Sequence, residues 1–242
     1  MSERQAANPE DFTSRYEYSK STSNYHFDDT ADDDSNPPFL KIGRYIGDWQ
    51  EELKEMAATV RPNTYHTRMK GKTPYLDKLE THDLVKMGVG VNHVLHNKSA
   101  QKLTPKLQRM IDILGFDPEQ GVTSSFHVQM PGQVFIKHID SCTSIRGNNA
   151  GDDANYYFKH PEKLARFLVA LEDWQMGHMF EFGNTFWKQW KAGDLVHHSW
   201  IDVPHCTANA SHVPRYTLQV TGHVTERTRA IIEAEEFLNI HI

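Results

Sequence analysis

The segment Val134-Phe135-Ile136-Lys137-His138-Ile139-Asp140 reads as a strand ending in an imidazole and a carboxylate two residues apart. Alternate residues of a strand share a side, so His138 and Asp140 offer a nitrogen donor and a hard oxygen donor together. One more histidine would complete the two-histidine, one-carboxylate face that suits non-haem iron(II) and leaves three coordination positions open. His205, in Val203-Pro204-His205, is the candidate, 65 residues after Asp140. Ten residues further on, Arg215 opens the alternating segment Arg215-Tyr216-Thr217-Leu218-Gln219-Val220. A guanidinium fork makes two parallel hydrogen bonds to a carboxylate. Thr217 shares the side of Arg215 and adds a hydroxyl. A dicarboxylate ligand needs such a pair at its far end. Each part also has an ordinary reading. His138 and Asp140 fit a surface pair at a strand end, Arg215 a structural ion pair, and Thr217 a β-former in a β-strand.

The chain holds 15 histidines in 242 residues, so the others need separate readings. His197 and His198 are neighbours on a strand and face opposite sides, so at most one points inward. His127, His178, His212 and His223 read as polar core or surface residues. Gln129 lies where it would line a pocket. Arg166, at the start of a core strand, is placed to meet a substrate carboxylate. Cys206 faces away from a metal at His205 if its strand alternates, and Cys142 reads as incidental. Trp174, Trp187, Trp190 and Trp200 read as core. Arg146, Asn148 and Asn149 sit in an insertion beside the ligand pair, where a lid would contribute substrate contacts.

These residues must be positioned by the second half of the chain. From about residue 121, segments rich in Val, Phe, Ile, Thr and Trp alternate with Gly, Pro, Asn and Asp. The pattern predicts strands at 122–130, 133–139, 166–173, 178–182, 194–198, 203–208 and 214–224. Pro131-Gly132 predicts the turn between the first two. Residues 140–163 are too long for a simple connection and read as a lid or flap. Before residue 121 the texture is helical. Trp49, Leu53 and Met56 predict a helix over 47–58, and Leu76, Leu79 and Leu84 one over 74–87. The third, over 104–114, has Thr104 as N-cap, Pro105 at the first position and Gly115 as its stop. A C-terminal helix is expected over 226–238, with 226–240 as its outer limits. Helices followed by seven or more strands predict an α+β fold, a β-sandwich or barrel core buttressed by N-terminal helices.

Composition narrows the rest. The length suits one domain. The domain division expected is an acidic arm, 1–36, and a single domain, 37–242, made of a helical part 37–120, a β core 121–225 and the final helix. The arm carries nine acids and three bases, which accounts for the whole net charge of −6. Its Phe12, Tyr16, Tyr18, Tyr25 and Phe27 suit a segment lying across a folded surface. A net negative chain argues against nucleic acid held by bulk electrostatics. No stretch predicts a membrane span or a secretory signal. Two cysteines fit a reducing cytoplasm.

Over roughly residues 122–224 the pattern His138-x-Asp140, His205, Arg215-x-Thr217 resembles the 2-oxoglutarate/Fe(II)-dependent oxygenase superfamily. The five residues together are far more specific than any one of them. Pro131-Gly132, Lys137-His138-Ile139-Asp140, Trp190 to Asp194, Pro204-His205, Asn209 and Arg215 look most similar to the aspartyl/asparaginyl β-hydroxylase-like and prolyl-hydroxylase-like branches. The resemblance implies a double-stranded β-helix of jelly-roll, cupin-like form. It implies that His138, Asp140 and His205 hold Fe(II), and that Arg215 and Thr217 meet the far end of a 2-oxoglutarate cosubstrate. It further implies hydroxylation, with O2, of an amino-acid, peptidyl or small-metabolite substrate. Halogenation is not expected, because Asp140 is present where halogenases of this type carry a small residue. The alternative is a cupin-type metal-dependent hydrolase or isomerase, for which Arg215 is superfluous. Metal binding requires neutral imidazoles and should weaken below about pH 6.

Overall fold

A computed structural model describes residues 38–59, 96–99, 103–140, 156–201 and 203–242. The expected arm, the helix over 74–87, and Cys142, Arg146, Asn148 and Asn149 lie outside these residues. Eleven strands and four α-helices are described: β1 (Leu40–Ile46), α1 (Gln50–Thr59), β2 (His96–Ser99), α2 (Pro105–Ile113), β3 (Val122–Gln129), β4 (Val134–His138), α3 (Tyr156–Lys159), β5 (Leu164–Ala170), β6 (His178–Phe182), β7 (Thr185–Trp187), β8 (Asp194–His197), β9 (His205–Asn209), β10 (Arg215–His223), α4 (Glu226–Ile232) and β11 (Leu238–His241), with a 3₁₀ turn, Pro161–Lys163, before β5.

The strands form a seven-stranded sheet, β11-β1-β8-β5-β10-β3-β2, and a four-stranded sheet, β4-β9-β6-β7. From β3 to β10 the chain passes back and forth between them. The orders β3-β10-β5-β8 and β4-β9-β6-β7 are those of two interleaved four-stranded ribbons. The fold is a double-stranded β-helix, the jelly roll of cupins, with helices packed on its large sheet. The three remaining strands widen that sheet. Among the described residues no helix is long and apolar enough to cross a membrane.

Alternation along the central strands makes one sheet serve two layers. On β10, Leu218 and Val220 face outward, with Phe126 and Val128 of β3 and Phe167 and Val169 of β5. Leu53 and Met56 of α1 and Leu107, Met110 and Ile111 of α2 close this layer. The Tyr45 hydroxyl donates to the Met110 carbonyl at 2.6 Å, and the Trp49 indole to the Leu171 carbonyl at 3.0 Å. The opposite residues of β5 and β8, Leu168, Ala170 and Val196, pack inside the barrel on Phe180, Phe182, Trp187 and Trp190. Gly193 sits between these layers at φ +88°, and a Cβ there would strike the Tyr45 carbonyl. Only glycine fits.

All seven expected strands are present within a few residues, and so is the turn. Gly132 has φ +80° and the Gln133 amide donates to the Met130 carbonyl at 3.1 Å, as a Pro-Gly turn requires. Three expectations need correction. The part before residue 121 is not purely helical: β1 opens it and β2 interrupts it. The C-terminal helix ends at Ile232, short of 238 or 240. Beyond it Leu238, Ile240 and Ile242 alternate with polar residues, and this period of two places β11 parallel to β1, Leu238 opposite Gly43. Thr104 occupies the N-cap position of α2, but its hydroxyl makes no capping hydrogen bond and is buried with no partner among the described residues. Gly115, at φ +68°, does end that helix.

Candidate metal centre

His138 closes β4, and His205 opens β9 on the adjacent strand. They are direct cross-strand partners, although plain alternation would not make them so. Phe135 pairs with Thr207, and unbroken antiparallel register would then set Lys137 opposite His205. An irregularity adds one residue to β4 and brings His138 there instead. A one-residue slip exchanges the two faces of a strand, and a bulge does the same locally. Lys137 consequently turns outward to Glu181, 3.6 Å away, and His138 turns in. The two histidine rings have centroids 4.3 Å apart.

Asp140 completes the group. Its Oδ1 is 3.8 Å from His138 Nε2, and its Oδ2 is 3.4 Å from His205 Nε2. One donor atom from each residue lies within 4.8 Å of the others. His205 Nδ1 is 3.2 Å from the Val203 carbonyl. That contact calls for a proton on Nδ1 and leaves Nε2 with its lone pair facing the group. Burial lowers the pKa of His205 despite the neighbouring Asp140, so it is neutral near pH 7. Two imidazoles and a carboxylate, converging in a buried space, fit a divalent metal and match the iron(II) set by donor type.

Arg166 has a different role from the one expected. It reaches from β5 to form an ion pair with Asp140 Oδ2, and its Nε donates to Thr221 Oγ1 at 2.8 Å. It therefore holds the Asp140 carboxylate rather than standing ready for a substrate. Burial, the largest single influence, would raise the Asp140 pKa, but the Arg166 guanidinium together with His205 and His138 outweighs it and holds the carboxyl well below the usual range. The carboxylate is ionised before any metal arrives.

Arg215 opens β10 on the barrel side and is 3 % exposed. Its Nη1 donates to the Met179 carbonyl at 2.8 Å, and its guanidinium lies 5.1 Å from the centre of the Phe180 ring. Its Nε is buried with no hydrogen-bond partner among the described residues. Burial pushes its pKa down to about 9, which leaves it charged at neutral pH. On β6, Phe182 is opposite His205, and Met179 lies three residues further along. A strand rises about 3.3 Å per residue, so the guanidinium is about 10 Å along the barrel from the triad. Thr217 is buried on the same side of β10, opposite His127 on β3 and Ala170 on β5.

The remaining candidates separate. Gln129 is buried, but its amide donates to Thr207 Oγ1 at 3.0 Å and to the Gln133 carbonyl at 3.1 Å. That bracing joins the two sheets. His178 stacks on Trp190, and His223 meets the Tyr157 hydroxyl at 3.1 Å, both as packing residues. Trp187, Trp190 and Trp200 are core. Cys206 faces away from the triad, as alternation predicts. Its thiol donates to Glu181 Oε2 at 3.1 Å, and burial beside that carboxylate pushes its pKa up to about 12. Of the adjacent pair, His197 takes the helix side and His198 the interior, against His205. Nothing in the sequence marks which of the two turns in; only the strand's two packed faces do.

No family model matches the chain, and no curated protein does. Solved structures share loose likenesses. A cupin 2 conserved barrel domain protein from Salinispora arenicola is 11% identical, with a TM-score of 0.31 over 58% of this chain and 84% of that one. The cupin_2 domain of an XRE family transcriptional regulator from Enterobacter cloacae is 10% identical, with a TM-score of 0.33 over 54% and 98%. A predicted oxalate decarboxylase from Thermotoga maritima is 12% identical, with a TM-score of 0.31 over 54% and 81%. The strand order described above, not these likenesses, identifies the fold.

Proposed function

We propose that this chain is a non-haem Fe(II)/2-oxoglutarate-dependent dioxygenase that hydroxylates an amino-acid, peptidyl or small-metabolite substrate. Arg215 carries the reading. A buried guanidinium is costly unless an anion meets it. Arg215 has a carbonyl, an aromatic face and an open Nε, and it lies about 10 Å along the barrel from the triad. A five-carbon dicarboxylate bound at the triad by its keto-acid end reaches that far. Charge supports the same ligand. Within the barrel Asp140 and Arg166 offset each other, and Arg215 remains uncompensated. A divalent metal adds more positive charge, and a dianion balances it. A hydrolase or isomerase working through the metal alone gives Arg215 nothing to do.

His138, Asp140 and His205 would hold the iron. Iron(II) with 2-oxoglutarate and O2 supplies the oxidising chemistry, and the protein supplies position and a dry site. Arg166 keeps Asp140 ionised and aimed. The Val203 carbonyl fixes the His205 tautomer. Arg215, with its Nε open, would meet the distal carboxylate, and Thr217 would offer a hydroxyl beside it.

The test is anaerobic addition of Fe(II) and 2-oxoglutarate to metal-free protein, watching for the weak visible charge-transfer band of the chelate. The band should appear with the wild type, vanish with His205→Ala, and require far more 2-oxoglutarate with Arg215→Ala. Metal binding without a band would reject the cosubstrate and return the site to metal-dependent hydrolysis or isomerisation.

A further inference from the structure

Among the described residues, His198 is an interior group beside the triad to which the proposed function gives no task. It follows the last residue of β8, whose His197 packs outward on Phe167 and places Nδ1 2.9 Å from the Arg166 carbonyl. His198 turns the other way and is 1 % exposed. Its ring lies 4.9 Å from that of His205 at 70° and 4.8 Å from that of Phe182. Neither Nδ1 nor Nε2 has a hydrogen-bond partner among the described residues. A neutral imidazole carries one N–H and one lone pair, and both are unmet here. A phenyl ring would fill the same space without that cost.

The charged and polar groups around it are His205, Asp140, Arg166 and His197. Each is already engaged: His205 Nδ1 with Val203, Asp140 with Arg166, and His197 with the Arg166 carbonyl. Among the described residues none is left for His198 to bond, and a ligand at the centre would meet it. Its direction follows from strand order. Arg215 lies on β10, two strands from β8 across β5, or about 10 Å at the usual spacing. A dicarboxylate reaching from the triad to Arg215 therefore runs away from His198.

We infer that His198 is a further ligand-binding residue of this centre, hydrogen-bonding the small oxygen- or nitrogen-donor ligand in the open metal position on the β8 side. The inference rests on the metal reading of His138, Asp140 and His205, but not on 2-oxoglutarate. It is tested with Co(II) as the metal and azide as the ligand, followed in the visible spectrum of the full chain. His198→Phe keeps the ring's shape and removes both nitrogens. His198→Gln keeps a donor and an acceptor. Thermal midpoints check that both variants fold.

The wild type should bind Co(II) and then azide. His198→Phe should hold Co(II) within about threefold and bind azide at least about tenfold more weakly, the size of one lost hydrogen bond. His198→Gln should recover most of that loss. Unchanged azide affinity in His198→Phe would make His198 a packing residue and overturn the inference. A tenfold loss of Co(II) itself would overturn it too, because His198 would then act through His205. A wild type that takes Co(II) but not azide closes the open position and also ends it. If the wild type takes no Co(II), the metal reading falls and this inference with it. If Co(II) and azide behave as expected but 2-oxoglutarate gives no band, the oxygenase reading fails alone and His198 keeps its role.

Discussion

The two faces of the large sheet are built from the same strands and have opposite characters. The helix side of β3, β5 and β10 carries Phe126, Val128, Phe167, Val169, Leu218 and Val220. The barrel side carries Gln129, Arg166, Arg215, Thr217, Thr221 and His223, all buried. Burial on the first face stabilises by removing apolar surface from water. Burial on the second face stabilises only where each polar group is met. The Gln129 amide N–H, the Arg166 Nε and the Thr221 hydroxyl are met from within the chain; among the described residues Gln129 Oε1 and Arg215 Nε are not. The fold's stability and its chemistry are thus placed back to back, and the unmet groups on the barrel side mark where a ligand belongs.

The comparison can be broken most strongly on the helix side. Phe167→Ala, at a fully buried site, should cost about 3–5 kcal/mol in guanidinium denaturation. Metal affinity measured in the folded protein should stay within about threefold. A large loss of metal affinity would mean that the two faces are coupled through β5.

The barrel side should respond in the reverse sense. Arg215→Met should weaken 2-oxoglutarate by about 2–3 kcal/mol, roughly thirty- to 150-fold, measured by titrating the chelate band. The same variant in metal-free form should be as stable as the wild type or gain about 1 kcal/mol, because an uncompensated buried charge is removed. If its stability fell by several kcal/mol, Arg215 would be a structural residue.

His197 tests the helix side by pH. Burial lowers its pKa, so the folded chain keeps it neutral where the unfolded chain protonates it, below about pH 6.5. The unfolded state then binds more protons, and its share of stability is lost as the pH falls. Metal-free protein should lose up to about 1.4 kcal/mol per pH unit from this group as the pH falls below about 6.5. Urea midpoints at pH 7 and 5 should differ less in His197→Phe. An equal difference would show that other groups carry the acid sensitivity.

Cys206→Ser should do least. It lies on the outward face of the small sheet, with a thiol that is not ionised at neutral pH. Stability should change by no more than about 0.5 kcal/mol and metal affinity not at all. Any clear loss of metal would place that face in contact with the centre after all.

Much of this was legible in the residues. Runs of β-forming residues bounded by Gly, Pro, Asn and Asp marked all seven expected strands, because β-propensity and turn chemistry are local properties. The triad and Arg215 stood out by type, order and spacing. What was missed was short or switched character late. Thr185–Trp187 spans three residues, too few for a period. The last segment carried its own alternation, Leu238, Ile240, Ile242, but it follows a genuine helical turn with no glycine or proline between them. Arg166 was read as waiting for a substrate because its partner, Asp140, is 26 residues away and on the other sheet's connection.

By itself the sequence determined the donor set, the strands that carry it and the layer each strand's apolar face seeks, since all three follow from residue type and short-range period. The tertiary structure alone decided the pairings. It put the extra residue in β4 that turns His138 rather than Lys137 toward His205. It brought Arg166 to Asp140, and chose His198 over His197 for the interior. Each of these is a contact between distant segments, set by which register buries the most apolar surface while meeting the most polar groups, and no local pattern encodes that balance.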